Sequence, residues 1–403
     1  MRIAALLIAL CAAGAARGEG DTVERGAQAD ASLEERLKEK ARTIPGTETR
    51  YVVAGFVQLD AAWTRRELAG EEKDAFLASA IPFGAADADT RLNIRASQIN
   101  AILQTPTRWG ELTAHAQADL FAYEDGASPN LTQLVARLGE WLAVGKTYST
   151  FMDDEAWPAT LDYNGPSGAV FVRQFILRGS LPIAPSLRLD AALEDPQADA
   201  SAEHSGISAS ASAERPDFVA RLRYGGERLQ AQLAGLSRDV TYSAQLPAAS
   251  VERRVSGYGV SASVAVQIGE DRLLAQWNQG EGVGRYFNDG LSGVGAVYDA
   301  GGRLEPLRLS GAYLYYERAW AERWSSTAGF SVLRAESEGL RPASDLRRLE
   351  YASANLVHRL ATDLYVGAEV LWGRAERMDH ARADDTRILL SARYYYYLSL
   401  IHI

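Results

Sequence analysis

The chain has 403 residues, a single cysteine and a net charge of −10 at pH 7. One cysteine excludes a disulfide-rich fold, and an acidic chain without a basic block is a poor candidate for nucleic-acid binding. Beyond the N-terminus no apolar run reaches the ~18 residues that a spanning helix needs. If the chain crosses a membrane, strands must do so, because only helices and closed barrels satisfy the backbone in lipid.

Residues 1–16 have the pattern of a secretion signal, with an early arginine and an apolar core over residues 3–13. Cys11 lies in that core and is expected to leave with it. Residues 17–50 are predicted to be a periplasmic extension with one short helix, opened by the capping box Ser32–Glu35. This helix is either a solvated element without a specific role or a short oligomerising helix.

From Tyr51 onward the chain alternates apolar and polar residues in short stretches. In Glu111–Leu120, leucine and alanine occupy the even positions and polar residues the odd ones. Strict alternation indicates a strand with two different environments. Sixteen such strands are predicted, over residues 51–66, 91–104, 110–123, 131–138, 141–150, 168–180, 187–195, 215–224, 228–239, 254–267, 272–279, 306–317, 323–335, 346–359, 364–375 and 386–397.

The connections between these strands are by turns short and long. This order gives an even strand number with both ends on the short-turn side, which is typical of a bacterial outer-membrane barrel. We therefore predict an all-β fold: a 16-stranded antiparallel transmembrane β-barrel over residues 51–403, preceded by the short periplasmic helix. Residues 398–403 lack the terminal aromatic residue common in such barrels, and are either a divergent or a non-native end.

Several strands have a face suited to lipid. In the tenth strand, Tyr258, Val260 and three further apolar residues alternate with glycine and serine. Aromatic residues cluster near strand ends, as expected at the two membrane interfaces. The small residues on the inner face predict a wide, water-filled lumen, for which a barrel of about 16 strands has room.

Arginine dominates the basic residues, since only four of the 42 are lysine. Coding bias alone produces such a composition. Alternatively, arginine forks line a lumen and bind carboxylates or phosphates. Alternation within the strands assigns eight arginines to the lumen: Arg91, Arg95, Arg188, Arg221, Arg223, Arg308, Arg387 and Arg393.

Residues 151–167 form the third long connection, and in outer-membrane porins the loop at this position folds into the barrel and narrows it, so the same is expected here. The predicted constriction residues are Asp153, Asp154, Glu155, Trp157, Tyr163 and Asn164. The three acids are expected to face the lumen arginines and create a transverse field. They could instead bind calcium, although a capping, solvated acidic turn is the simpler interpretation.

The chain resembles the DcaP-like porin family of Gram-negative outer membranes. The matching segments are 44–47, 55–60, 91–95, 110–112, 149–153, 162–166 and 171–174, which read IPGT, GFVQLD, RLNIR, GEL, STFMD, DYNGP and FVRQ. The resemblance implies a homotrimer of 16-stranded barrels, a periplasmic N-terminal helix and passage of small anionic solutes such as dicarboxylates. The second half of the chain matches only in its barrel pattern.

The sequence thus predicts an outer-membrane porin, in contact with membrane lipid, that passively conducts small hydrophilic and anionic solutes. The alternative is a non-transporting surface barrel, an adhesin or scaffold, with a lumen plugged by bulky inward residues. An enzyme barrel is a third interpretation, but no catalytic or metal-binding spacing is present among the five histidines. No cofactor is expected.

Overall fold

The computed structural model describes residues 40–70, 73–121, 128–196, 200–201, 208–212, 215–245, 250–289, 295–298, 304–336 and 341–398. The predicted signal peptide, the predicted N-terminal helix and residues 399–403 lie outside these ranges.

Sixteen strands follow one another around a barrel. They are β1 (Arg50–Thr64), β2 (Gln98–Thr107), β3 (Gly110–Asp119), β4 (Asn130–Leu138), β5 (Leu142–Tyr148), β6 (Arg173–Ala184), β7 (Leu187–Glu194), β8 (Asp217–Gly225), β9 (Leu229–Gln245), β10 (Ser250–Ile268), β11 (Asp271–Glu281), β12 (Arg308–Ala321), β13 (Trp324–Glu336), β14 (Leu346–Ala361), β15 (Leu364–Arg377) and β16 (Arg382–Leu398).

Each strand pairs antiparallel with the strand before and after it, and the ring closes between the first and the last. The β1–β16 register runs from Val53 opposite Leu398 to Thr64 opposite Arg387. Closure gives every strand two neighbours, so the barrel exposes no unpaired edge. The predicted 16-stranded antiparallel β-barrel is therefore confirmed.

Short elements complete the sheet and its loops. Asp89–Asn93 and Ser208–Ser212 extend β2 and β8 against β1 and β9, and Arg42–Thr43 pairs with the start of β1. Ala200–Ser201, Ala296–Tyr298 and Leu304–Pro306 form a small separate sheet. The 3₁₀ turns are Ala78–Ala80 and Gly284–Tyr286.

The predicted strands match the observed ones in order, with differences at some ends. The sixth begins at Arg173 rather than near residue 168, because residues 168–172 belong to the loop inside the barrel. The second is interrupted between Asn93 and Gln98. β9 and β10 both extend further toward the long connection that joins them than the alternation predicts.

Alternation sorts the side chains of the wall onto two faces. On β12, Leu314 is 55% exposed, whereas Tyr315 beside it is fully buried. Large apolar side chains are exposed around the outside of the barrel, among them Phe175, Leu233 and Val370. A continuous apolar outer band indicates contact with lipid, because soluble proteins rarely expose apolar patches this large. Within the described residues, no helix is long and apolar enough to cross a membrane.

The inside of the barrel contains an apolar core along part of its wall. Tyr313, Tyr315, Tyr351 and Leu371 point inward from β12, β14 and β15 and belong to one buried cluster. Their partners are side chains of connections that fold into the lumen, such as Phe76. The lumen is therefore partly filled with protein.

Candidate pore constriction

Described parts of three connections on the long-loop side enter the barrel: residues 65–70 with 73–88, 149–172 and 282–289. Buried apolar side chains anchor each of them, Phe76 in the first, Phe151 in the second and Tyr286 in the third. Phe151 and Tyr286 meet edge to face with ring centres 5.7 Å apart. The three segments therefore pack on one another as well as on the wall.

Small inward residues on the wall make room for these segments. A Cβ on Gly259 of β10 would lie 3.1 Å from the ring of Phe151, and one on Gly280 would lie 2.6 Å from Val283. The expectation that the small inner face of β10 borders a wide, water-filled lumen is therefore wrong. Loop side chains fill that space.

The constriction loop, residues 149–172, is fixed to the wall where it begins. Ser149 Oγ and the Thr150 amide donate to the Glu194 carboxylate of β7, at 2.6 and 2.7 Å. Both residues and Glu194 are buried. A hydrogen bond to a buried carboxylate is strong, because the charged acceptor has lost its water. The loop therefore leaves β5 in one fixed direction.

The three acids of the loop contact the wall directly. Arg223 of β8 lies 2.8 Å from Asp153, 3.1 Å from Asp154 and 3.2 Å from Glu155. Ser263 of β10 also donates to Asp153, at 2.5 Å. We expected these acids to face the lumen arginines across the opening. This is wrong for Arg223, which forms direct ion pairs with all three acids. The ion pairs hold the loop against β8.

The middle of the loop follows the wall from β12 to β15. Tyr313 Oη donates to the Ala156 carbonyl at 2.8 Å, and the Ala159 amide donates to Glu317 at 2.9 Å. The amides of Leu161 and Asp162 then donate to Glu369 of β15, at 2.9 and 2.7 Å. Inward carboxylates on three strands, β7, β12 and β15, thus hold three successive parts of the loop backbone.

The tip of the loop contacts a different part of the wall, at β3. Tyr163 Oη donates to Asp119 of β3 at 2.5 Å, and the Tyr163 ring stacks on Phe121 with centres 3.7 Å apart. Trp157 packs on Gly165, which adopts a φ of +69° where a Cβ would meet the indole at 2.8 Å. The Asn164 carbonyl accepts from Asn288, at 2.6 Å. The predicted constriction residues therefore lie within the barrel.

Asp289 connects the three inner segments. Its carboxylate accepts from the Ala78 amide and from Ser167 Oγ, both at 2.8 Å, and from the Ser79 hydroxyl. Asp289 lies in the third segment, Ala78 in the first and Ser167 in the constriction loop. Burial raises the pKa of this carboxyl to about 6 although the hydrogen bonds oppose the shift. One side chain thus links the three segments.

An opening of about 190 Å³ remains between the loop and the wall. The loop side is formed by residues 157–163, and the wall side by β1, β2 and β16, including Gln58, Gln98 and Tyr395. The opening has charges of both signs. Its charged residues are Asp119, Asp154, Asp162, Arg173 and Arg393.

Seven of the eight predicted arginines face the interior. Arg393 donates to Gln58 at 2.7 Å and borders the opening. Arg95 pairs with Asp74 at 2.9 Å and Arg91 with Asp89 at 2.6 Å.

Arg387 supports the first inner segment. It donates to Thr64 and to the Lys73 and Asp74 carbonyls. Arg188, Arg221 and Arg223 lie on β7 and β8, where Asp190 pairs with Arg188 at 3.2 Å and Arg221 at 2.7 Å.

Arg308 lies on the outer face, and its assignment to the lumen is wrong. It is exposed between the buried residues Leu307 and Leu309, and it pairs with Glu281 at 2.5 Å. The error has a physical reason. Near the long connections the inner face of β12 packs on loop side chains, so its apolar residues point inward and its charged residues point outward.

Among the described residues, further arginines that the sequence did not single out also face the interior, and three of them bear on the opening or on the wall near β5. Arg173 borders the opening. Arg178 of β6 and Arg137 of β4 both lie opposite the small Ala143 of β5 in register. Arg178 makes no hydrogen bond or ion pair with any residue that the structure describes. Its alternation with Phe175 and Leu177, both outward, was the signal that could have identified it.

Removing the loop tip tests whether it limits flow. Deleting Asp154 to Tyr163 is expected to raise single-channel conductance at least about twofold, because this segment forms one side of the opening. Planar-bilayer recording gives the value directly. Leu314→Ala, on the outer face, serves as the control and should leave conductance unchanged. A deletion variant that folds and conducts like the parent would contradict the assignment.

Asp162 predicts a pH dependence of ion selectivity. Burial raises the pKa of this carboxyl from its ordinary 3.8 to about 6, against the opposing effect of Arg387 and of the Phe76 and Gly165 amides. A carboxyl with a raised pKa is charged above about pH 6 and neutral below it. The opening then loses one negative charge as the pH falls from 7 to 5, so anion preference should rise. Reversal potentials across a salt gradient measure this, and Asp162→Asn should remove the step near pH 6 while retaining conductance.

No family model and no curated protein matches this sequence. Solved structures do match. The outer membrane channel DcaP of Acinetobacter baumannii aligns with a TM-score of 0.77 and 18% identity, over 88% of this chain and 99% of that one. An anion-selective porin from Comamonas acidovorans aligns with a TM-score of 0.58 and 10% identity, over 87% and 100%. The trimer form of OmpT, an outer membrane protein of Vibrio cholerae, gives 0.53 and 10%, over 86% and 99%. The chain has the fold of the outer-membrane porins, and its resemblance to the DcaP-like porins is confirmed at the level of the fold.

Proposed function

We propose that this protein is a porin of the bacterial outer membrane that passively conducts small hydrophilic anions, with dicarboxylates as the model solutes. The observation that carries the proposal is Arg178 on the inner wall, which makes no hydrogen bond or direct ion pair with the residues that the structure describes, although Asp190 and Asp154 lie within electrostatic range. Near it, Arg137 and Arg221 supply further positive charge on β4 and β8, and Arg188 lies further along β7. A planar guanidinium suits a carboxylate, because it offers parallel N–H donors.

Weak binding is compatible with this arrangement. Arg188 and Arg221 share Asp190, which offsets part of their charge. Arg178 is half-buried and remains in contact with the interior. A solute must enter a selective pore but also leave it, so a partly compensated row of cations suits conduction better than an isolated deep site. The fold that this chain shares with an anion-selective porin supports the same conclusion.

A non-transporting barrel remains the second candidate. The three inner segments and their apolar core reduce the lumen, as that interpretation predicts. The opening bounded by charged and polar side chains favours a channel instead. Purified protein in a planar bilayer separates the two, since a scaffold would give no discrete conductance steps.

Charge removal at Arg178 tests the selectivity. Arg178→Gln is expected to lower the anion-to-cation permeability ratio about twofold, because a half-buried charge acts at reduced dielectric screening. The reversal potential in a salt gradient provides the ratio. Arg308→Gln removes an equal charge from the outer face and should leave the ratio unchanged. Cation preference in the parent protein would refute the proposal.

We also propose a homotrimer whose contact lies on the outer faces of the first strands. Ala114, Ala116 and Ala118 point outward from β3, and Ala101 of β2 lies opposite Ala116. In contact with lipid, larger apolar side chains would bury more apolar surface and be favoured here. Small side chains instead let two barrels approach closely. Alanine-rich coding is the alternative explanation. The trimer form of OmpT supports the assembly for this fold.

Ala116→Trp is expected to weaken the oligomer while the barrel stays folded, because the indole would separate the two walls. Native mass spectrometry reports the assembly, and mobility on unheated gels reports folding. Ala368→Trp makes the same change on the outward register of β15 and should leave the assembly intact. Equal assembly of both variants, or a monomeric parent, would disprove the placement.

A further inference from the structure

The outer wall carries a dense group of charges just beyond its apolar band on β11 to β16. We call this group the outer arginine rim. Its basic members are Arg308, Arg334, Arg347, Arg348, Arg374 and Arg382, and its acidic members are Glu281, Glu336, Glu350 and Glu376. Arginine is in excess here, although the whole chain carries −10. No part of the proposed conduction path uses these residues.

The rim lies at the depth of lipid headgroups. On β15 the outward residues Val366, Ala368 and Val370 are followed by Trp372 and then by Arg374. The Arg374 guanidinium lies 5.0 Å from the centre of the Trp372 ring. An outward tryptophan marks the membrane interface. Arg374 is therefore placed at the headgroup level, on the side of the long connections.

Two arginines of the rim face each other across neighbouring strands. Arg334 of β13 is the direct register partner of Arg348 of β14. Like charges directly opposite one another destabilise a sheet. Arg334 makes no ion pair with any residue that the structure describes, and Arg348 Nε has no hydrogen-bond partner there. An anion between the two would convert a repulsive pair into a binding site.

Glu350 and Glu376 do not fill this role, because they are less exposed than the guanidinium groups that they contact. Glu350 is 13% exposed and contacts Arg348 at 2.5 Å and Arg374 at 3.8 Å. Those two arginines are 35% and 42% exposed. Glu376 is likewise less exposed than its partner Arg382, which lies 2.8 Å away. Each guanidinium has five N–H donors, so contact with one buried carboxylate leaves others for an outside acceptor.

We propose that the outer arginine rim binds the phosphate group of a membrane lipid in the leaflet on the long-connection side, with Arg334 and Arg348 as its centre. Arginine forks bind phosphate in a bidentate manner, and basic clusters at the membrane surface recognise anionic headgroups. The lipid's acyl chains would lie on Phe330 and Val332, which are outward on β13 below Arg334. The proposal rests on the outer-membrane location but not on conduction.

The test is binding of lipid A, a phosphorylated glycolipid, to the purified full-length protein in detergent. Native mass spectrometry would compare the parent with Arg334→Ala/Arg348→Ala. We expect at least about tenfold weaker binding in the double variant. Arg318→Ala is the matched control, because Arg318 is also outward on β12 but lies at the short-turn end. It should bind lipid A as the parent does.

A single variant keeps the test informative if the double variant folds poorly. Arg334→Gln removes the like-charge pair, so it should raise the Tm in lipid-free detergent and reduce the stabilisation that lipid A gives. Inorganic phosphate should not displace lipid A, since it lacks acyl contacts. Competition by inorganic phosphate, equal loss of binding in Arg318→Ala, or unchanged lipid A binding in the arginine variants would each overturn the proposal.

Discussion

Backbone pairing in a medium without water is the constraint on which the whole structure depends. Strands in lipid must bond on both sides, so the sheet must close, and the β1–β16 register provides that closure. Closure fixes the alternation of inward and outward residues all round the wall. The segments inside the lumen are then held by inward side chains of the wall, above all by the carboxylates that bind the constriction loop.

Those carboxylates explain how a loop can be rigid inside a channel. Glu194, Glu317 and Glu369 each accept a backbone N–H from the loop, and each is buried. A loop amide removed from water needs such an acceptor, since an unpaired buried donor costs about 1–3 kcal/mol. The wall therefore acts as a template that satisfies the loop backbone, as a neighbouring strand would in a sheet.

Periodicity was enough to predict the strands, because strand alternation is local in sequence, whereas the inward loop was predicted from its position as the third long connection, which folds into the barrel in porins. Periodicity did not predict what lies on the inner side of the wall. Gly259 looks like a residue facing water, yet it accommodates Phe151, more than a hundred positions away. Arg308 looks inward if apolar residues are assumed to face lipid, but Leu307 and Leu309 pack inside. Contacts between distant segments decide these cases, and no local pattern contains them.

The Asp289 carboxylate has a consequence for how the opening can vary. Since it bonds to Ala78, Ser79 and Ser167, the three inner segments form one frame and cannot move independently. A displacement of any one segment would have to break these hydrogen bonds or carry the other two segments with it, so the borders of the opening are joined through a single side chain.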